Sequence, residues 1–224
     1  MRILLINPNT SQSLTDLLSN AARPAAAPDT ILDTVTANRG VPYISTRSEA
    51  LLAGVELLGI LAERGKDYDA AIVAAFGDPG LGAARELFDI PVVGLAEAGM
   101  LTACMLGKRF AIVTFSTALG PWYRECLEWH GLQDRCAGIF MLDQSFDDIA
   151  TVQNDKADLL VQLGERAVSE GEADVIVLAG EPLRVCRRLQ LLSRMEHHEQ
   201  DDEQVFPGSA RACRSPGSGQ SRAA

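Results

Sequence analysis

Apolar residues along this chain gather in short unbroken runs, and each run leads into a segment with helical character. Ile3 to Ile6 predicts a strand and Ser11 to Ala22 a helix. Ile31 to Val35 predicts a second strand, ending before Asn38-Arg39-Gly40. Ser45 to Arg64 reads as a long helix closed by Gly65-Lys66-Asp67, with glycine in the expected C-terminal place. Ala70 to Ala75 predicts strand three, Leu81 to Leu87 a helix, and Ile90 to Gly94 a short strand. A second cycle follows: helix Glu97 to Leu106, strand Phe110 to Phe115, helix Leu119 to His130, strand Ile139 to Leu142, helix Ile149 to Glu170 and strand Val175 to Ala179.

Continuously apolar strands alternating with helices predict parallel sheets covered on both faces. The expected fold class is therefore α/β: two pseudo-symmetric lobes with parallel sheets flanked by helices, and an active-site cleft between them. The first lobe is expected over residues 1–95 and the second over residues 96–183. Beyond that the pattern breaks. Arg184 to Gln190 can continue a helix, but from about His197 the chain is charged, rich in Gly, Ser and Arg, and aperiodic. Such a composition buries too little apolar area to offset chain entropy, so 184–224 is read as an atypical, largely disordered tail. A change of reading frame near codon 184 is one explanation of it.

Composition narrows the function. With 224 residues, 47% hydrophobic but only 5% aromatic, the chain favours an Ala/Val/Leu/Ile-rich α/β core over a β-sandwich. A net charge of −10 argues against a nucleic-acid partner, though amide N–H groups can still bind a small anion locally. No apolar run reaches the ~18–20 residues of a membrane span, and the apolar start Ile3 to Ile6 is too short for a signal peptide. The five cysteines have no CxxC spacing and are odd in number, suggesting neither a zinc site nor a disulfide framework. A cytoplasmic location is expected, and a homo-oligomer is compatible with the sequence.

Four strand-end loops could carry chemistry, because ligands of open α/β sheets bind at the carboxyl ends of the strands. Asn7-Pro8-Asn9-Thr10-Ser11 can cap a helix or hold an anion. In Phe76-Gly77-Asp78-Pro79-Gly80, Asp78 can cap the following helix, with Pro79 in its first turn. Alternatively, Asp78 and the backbone N–H groups of Phe76 and Gly77 face the cleft. Thr114 and Ser116, the counterpart in the second half, are either caps or substrate contacts. Gly180-Glu181-Pro182 follows the last strand. His130, at a helix end beside Gly131, reads as a capping residue, and Cys104, Cys126 and Cys136 as packing or surface residues. No phosphate-binding Gly-rich loop and no Gly-x-Gly-x-x-Gly is present, so no nucleotide cofactor is expected. No metal is expected either.

The stretch Ala71 to Leu81 and the Asn7 to Ser11 loop resemble the aspartate/glutamate/hydantoin racemase superfamily, in its hydantoin and allantoin racemase branch. The resemblance runs through roughly residues 1–183. It implies a cofactor-independent racemase or isomerase. Its small-molecule substrate would be a hydantoin, allantoin or amino-acid derivative that loses and regains a proton at an acidic carbon. Asn7, Asn9, Thr10, Phe76, Gly77, Thr114, Ser116 and Gly180 would border that substrate. The chain departs from the family at its thiols. Ala75 occupies the usual first cysteine position, and the second, commonly near Gly180 and Glu181, is missing from that loop. Asp78 and Glu181 are then the candidate acid/base pair, since a shielded carboxylate can exchange protons near neutrality, with Glu97 a weaker third. A lyase or other carbon-acid enzyme of the superfamily, or a silent small-molecule-binding protein, are the competing readings. Family members of this kind end with a strand and helix returning to the first lobe, and residues 184–224 do not match that ending.

Overall fold

Strand β1 (Arg2–Asn7) lies between β2 (Ile31–Thr36) and β3 (Ala70–Val73), and β4 (Val92–Gly94) pairs with β3. The structure, a computed structural model, describes residues 1–143 and 157–180. All three pairings are parallel, so each connection crosses a face of the sheet. Those crossovers contain α1 (Gln12–Ala22), α2 (Arg47–Arg64) and α3 (Leu81–Leu87).

Local chemistry sets where the helices begin. Ser11 caps α1 by accepting from the Leu14 N–H. Thr46 and Glu49 form a reciprocal capping box, so α2 starts at Arg47 rather than at Ser45. Strand β3 ends at Val73, short of the expected Ala75, because the chain then enters a tight turn in which the Asp78 N–H donates to the Ala75 carbonyl.

The helix α4 (Leu95–Leu106) begins directly after Gly94, two residues ahead of the expected Glu97, and packs against β4 of the first sheet and β5 and β7 of the second. In the second sheet, β5 (Phe110–Thr114) lies between β6 (Cys136–Met141) and β7 (Val175–Leu178), again all parallel. Helix α5 (Gly120–His130) and helix α6 (Ala157–Ser169) cover it. Strand β6 begins at Cys136, earlier than the expected Ile139, because its first residues already pair with Phe110 and Ala111. Residues 149–156 of the expected Ile149 to Glu170 helix, and the tail 184–224, lie outside the described residues.

This is the expected α/β arrangement of two lobes with parallel sheets flanked by helices. One core, with Leu4, Ile6, Leu57, Leu61 and Val73, belongs to the first sheet. A larger one joins Ala75 and Phe76 of the first lobe to Phe110, Ile112, Trp122 and Tyr123 of the second. Each large side chain buried there is worth ~1.5–3 kcal/mol, so the lobes meet through a packed seam. Among the described residues, no helix is long and apolar enough to cross a membrane.

Candidate active site

The carboxyl ends of β1, β3, β5 and β7 converge where the two lobes meet, around a small cleft. The first lobe lines it with Asn9, Tyr43, Ile44, Ala75 and Phe76. The second contributes Trp122, Tyr123 and Gly180. Of the residues singled out from the sequence, Asn9, Ala75, Phe76 and Gly180 therefore share one cavity.

Asn7, Asn9 and Ser11 form a self-supporting turn. Asn7 is fully buried, and its Nδ2 lies 2.9 Å from Asn9 Oδ1, 3.1 Å from the Ser11 carbonyl and 3.0 Å from Thr15 Oγ1. Asn7 Oδ1 accepts from the Asn9 N–H, and Asn9 Oδ1 accepts from the Ser11 N–H. Asn7 thus builds the loop from beneath. Asn9 lines the cleft with its amide orientation fixed, its oxygen turned into the loop. Thr10 is not among the lining residues; its N–H donates to the Val41 carbonyl and ties this loop to the Tyr43 segment.

In the second lobe, Thr114 is fully buried and its hydroxyl has no hydrogen-bond partner among the described residues. Ser116 Oγ accepts from the Ala118 N–H, which is the capping alternative for this residue. Neither lines the cavity.

Asp78 departs most from expectation. It does not cap the helix that follows it. Gly80, at φ +79°, is the N-cap of α3, and Asp78 itself turns at φ +48° toward α4. Its Oδ1 accepts from the Ala96 N–H and its Oδ2 from the Glu97 N–H, both at 2.8 Å. Asp78 therefore satisfies the start of a helix 18 residues further along the chain. It is 5% exposed and does not line the cavity, so the structure does not place it as a cleft-facing base. Burial pushes its carboxyl above the usual range, against the opposing pull of the two amides and His130. Glu181 lies outside the described residues.

His130 corrects a second expectation. Its side chain is not spent on helix carbonyls: Nε2 lies 3.2 Å from Asp78 Oδ2 and Nδ1 lies 3.6 Å from Glu97 Oε1. The Arg85 guanidinium grips the Glu97 carboxylate from the other side and holds its carboxyl below the usual range. Three consecutive loop residues thus meet one face of α5. Phe76 packs edge-on to Tyr123 with ring centroids 4.9 Å apart, Gly77 lies under Trp122, and Asp78 meets His130.

Asp78, Cys126 and His130 hold ligand-type atoms within 4.8 Å of one another, a set whose chemistry could suit a zinc ion. The hydrogen bonds already made by Asp78 account for the cluster without one. Burial together with the nearby Asp78 and Glu97 charges pushes the Cys126 thiol up to about 12, so it stays protonated. Among the described residues no thiol lines the cavity.

Tyr43, Trp122 and Tyr123 were not reached from the sequence. Tyr43 follows the end of β2, and the two α5 residues sit in the first turn after the β5 end. The position of those strand ends on the shared edge was the signal that could have found them.

Two α/β lobes with a cleft across their strand ends define a fold class with paired α/β halves. The chain belongs to the Asp/Glu/hydantoin racemase family, whose sequence pattern matches residues 3–195. It is 34% identical to the hydantoin racemase of Pseudomonas sp. (strain NS671) over 182 residues, which cover 80% of this chain and 72% of that one. Its structure resembles the allantoin racemase of Klebsiella pneumoniae (TM-score 0.73, 33% identity, 89% and 80% of the two chains). It also resembles the allantoin racemase of Pseudomonas fluorescens (TM-score 0.80, 27% identity, 87% and 83%).

Proposed function

We propose that this chain is a racemase-type isomerase, working without a cofactor, on a hydantoin- or allantoin-like cyclic amide bound in the cleft. The observation that carries this reading is the cavity itself, which joins Asn9, Ala75 and Phe76 of one lobe to Gly180 of the other. It is lined at the strand ends that carry the two loops on which this chain's resemblance to the family rests. In this mechanism the ring lies across the cleft with the Asn9 amide on a ring carbonyl. The C5 proton passes to the Glu181 carboxylate, and the electron pair spreads into the adjacent carbonyl. A proton from solvent then returns to the opposite face, and Glu181 gives its proton back to solvent. Packing the ring against Tyr43, Phe76, Trp122 and Tyr123 strengthens the amide contact on the developing enolate.

Glu181, next in sequence to Gly180, is the proposed proton carrier on the second-lobe side. Asp78 serves in this reading as the frame that holds α4. The cysteines of the chain offer no spacing for a disulfide framework, which accords with a cytoplasmic setting.

Ala75 favours one competing reading, a protein that binds the ring without turning it over. Both are tested by proton NMR of optically pure 5-benzylhydantoin in heavy water, followed alongside polarimetry and a protein-free control. Loss of the C5 proton together with optical rotation, both dependent on protein, is the expected result. Exchange with retained rotation would mean a one-base site. Thermal stabilisation by the ligand with neither change would establish binding alone. No stabilisation and no exchange above the control would remove the proposal.

A further inference from the structure

We propose that His130 is a positioning residue: it clamps the first-lobe loop Phe76–Gly77–Asp78 onto α5 and thereby sets the shape of the cavity. The proposal rests on the reading above only in taking that cavity to be the substrate site.

The geometry is specific. The His130 side chain is 5% exposed and faces a carboxylate at each ring nitrogen, Asp78 at Nε2 and Glu97 at Nδ1. Those two carboxylates come from the strand-end loop and the first turn of α4. His130 comes from the last turn of α5, in the other lobe. Trp122, Cys126 and His130 are spaced four residues apart, so they form one stripe along α5. The loop runs along that stripe. Phe76, Trp122 and Tyr123 line the cavity; Gly77, which does not line it, lies against Trp122, and the contact at His130 is the polar anchor of the same line.

Among the described residues, the charged and titratable groups around the imidazole are few. Asp78 and Glu97 face it directly, Arg85 is bound to Glu97, and the Cys126 thiol lies beside it. With Glu97 paired to Arg85, Asp78 is the carboxylate left for His130. Removing the ring leaves a nearly buried carboxylate short of a partner, which weakens the loop where it meets α5. The effect reaches substrate through Phe76, Trp122 and Tyr123, since His130 itself does not line the cavity.

The chain has two tryptophans, Trp122 and Trp129, and they make the clamp measurable without substrate. Trp129 packs edge-on against His130, and Trp129→Phe keeps an aromatic edge there while leaving Trp122 as the sole indole. In that background His130→Ala, His130→Gln and His130→Asn are compared for acrylamide quenching of Trp122, for melting temperature, and for the Kd of 5-benzylhydantoin well below melting. Gln reaches Asp78 in place of Nε2; the shorter Asn does not. The expected result for His130→Ala is a roughly twofold rise in quenching and a roughly tenfold weaker Kd. His130→Gln should restore most of both, and His130→Asn should not.

Unchanged quenching and Kd in His130→Ala, whatever its melting temperature, would reduce His130 to a stability role and overturn the clamp. Should His130→Ala fail to fold, equal quenching in the Gln and Asn variants would overturn it as well. If Trp122 responds as expected while the parent protein neither binds nor turns over hydantoins, the clamp stands and the substrate reading fails.

Discussion

Gly77 lies directly beneath the Trp122 indole: a Cβ on Gly77 would come within 2.4 Å of Trp122 Cζ2. The same residue has φ +109°, a conformation that side chains other than glycine's rarely adopt. Both facts serve one end, the close approach of the strand-end loop to α5. Gly77→Ala is expected to cost about 2–4 kcal/mol, combining overpacking with backbone strain. Urea unfolding followed by circular dichroism measures it. In a Trp122→Ala background the cost should shrink to the backbone part alone, and an undiminished cost there would show that the indole contact is not the source.

Gly94 and Asp78 are coupled in the same way. A Cβ on Gly94 would sit 2.4–2.6 Å from the Asp78 carboxyl atoms, so the carboxylate reaches the start of α4 only across a glycine. Asp78→Ala removes two amide acceptors and the His130 partner, and is expected to cost roughly 2–3 kcal/mol. Gly94→Ala should cost a similar amount by displacing the same carboxylate. The double variant is expected to fall short of the sum by at least about 1 kcal/mol in urea unfolding. Simple additivity would mean that the two residues act separately.

The contrast between these residues explains what the sequence could reveal. The unbroken apolar runs at Leu4 to Ile6 and Phe110 to Val113 are buried on both faces, and in Ala71 to Val73 only Ile72 is half-buried, so strand positions and the α/β class were legible from hydrophobicity alone. Asn9, Ala75, Phe76 and Gly180 were legible because they follow those strands immediately. Asp78 was read correctly as a helix cap but assigned to the wrong helix. The deciding factor is the left-handed turn through Asp78 and Gly80, which aims the carboxylate at a helix distant in sequence. His130 and Trp122 depend on how α5 lies against the other lobe, and no local pattern records that.

Glu97 and Asp78 contribute to stability with opposite sign as pH changes. Arg85 lowers the Glu97 carboxyl below its ordinary 4.5, so the folded state holds that proton less tightly than the unfolded one. Its contribution is present at neutral pH and is lost as pH falls through the acid range below about 4.5. Asp78 is raised by burial, so its contribution is present at the lowest pH and is lost as pH rises through its folded value. Glu97→Gln should therefore flatten the fall in stability below about pH 4.5, read as urea midpoints across the acid range. A fall as steep as the parent's would mean that the Arg85 pair carries none of it.

The Cys126 thiol, pushed up to about 12, should resist alkylation in the native protein. Peptide mapping after iodoacetamide at about pH 8 is expected to find Cys126 unmodified unless denaturant is added. Ready labelling under native conditions would show that the seam around Asp78 and His130 opens to solvent.

Ala75 offers the most direct test of where the chemistry sits. It is 4% exposed, lines the cavity wall, and stands at the position where the sequence resemblance implies the family's first cysteine. A thiol there would meet the bound ring from the first-lobe side, facing Gly180 across the cleft. The substitution adds a single sulfur atom to a wall bounded by the cavity, so Ala75→Cys should fold with little loss of stability. General acid/base groups typically contribute ~10²–10⁴-fold, so C5 exchange of 5-benzylhydantoin should rise by about 10²-fold or more. That gain should disappear after iodoacetamide, whereas the parent's rate should be insensitive to the reagent because no thiol among the described residues lines its cavity. A folded Ala75→Cys that binds the ligand yet exchanges no faster would show that the reacting carbon does not approach this wall. The placement of substrate between Ala75 and Gly180 would then fall.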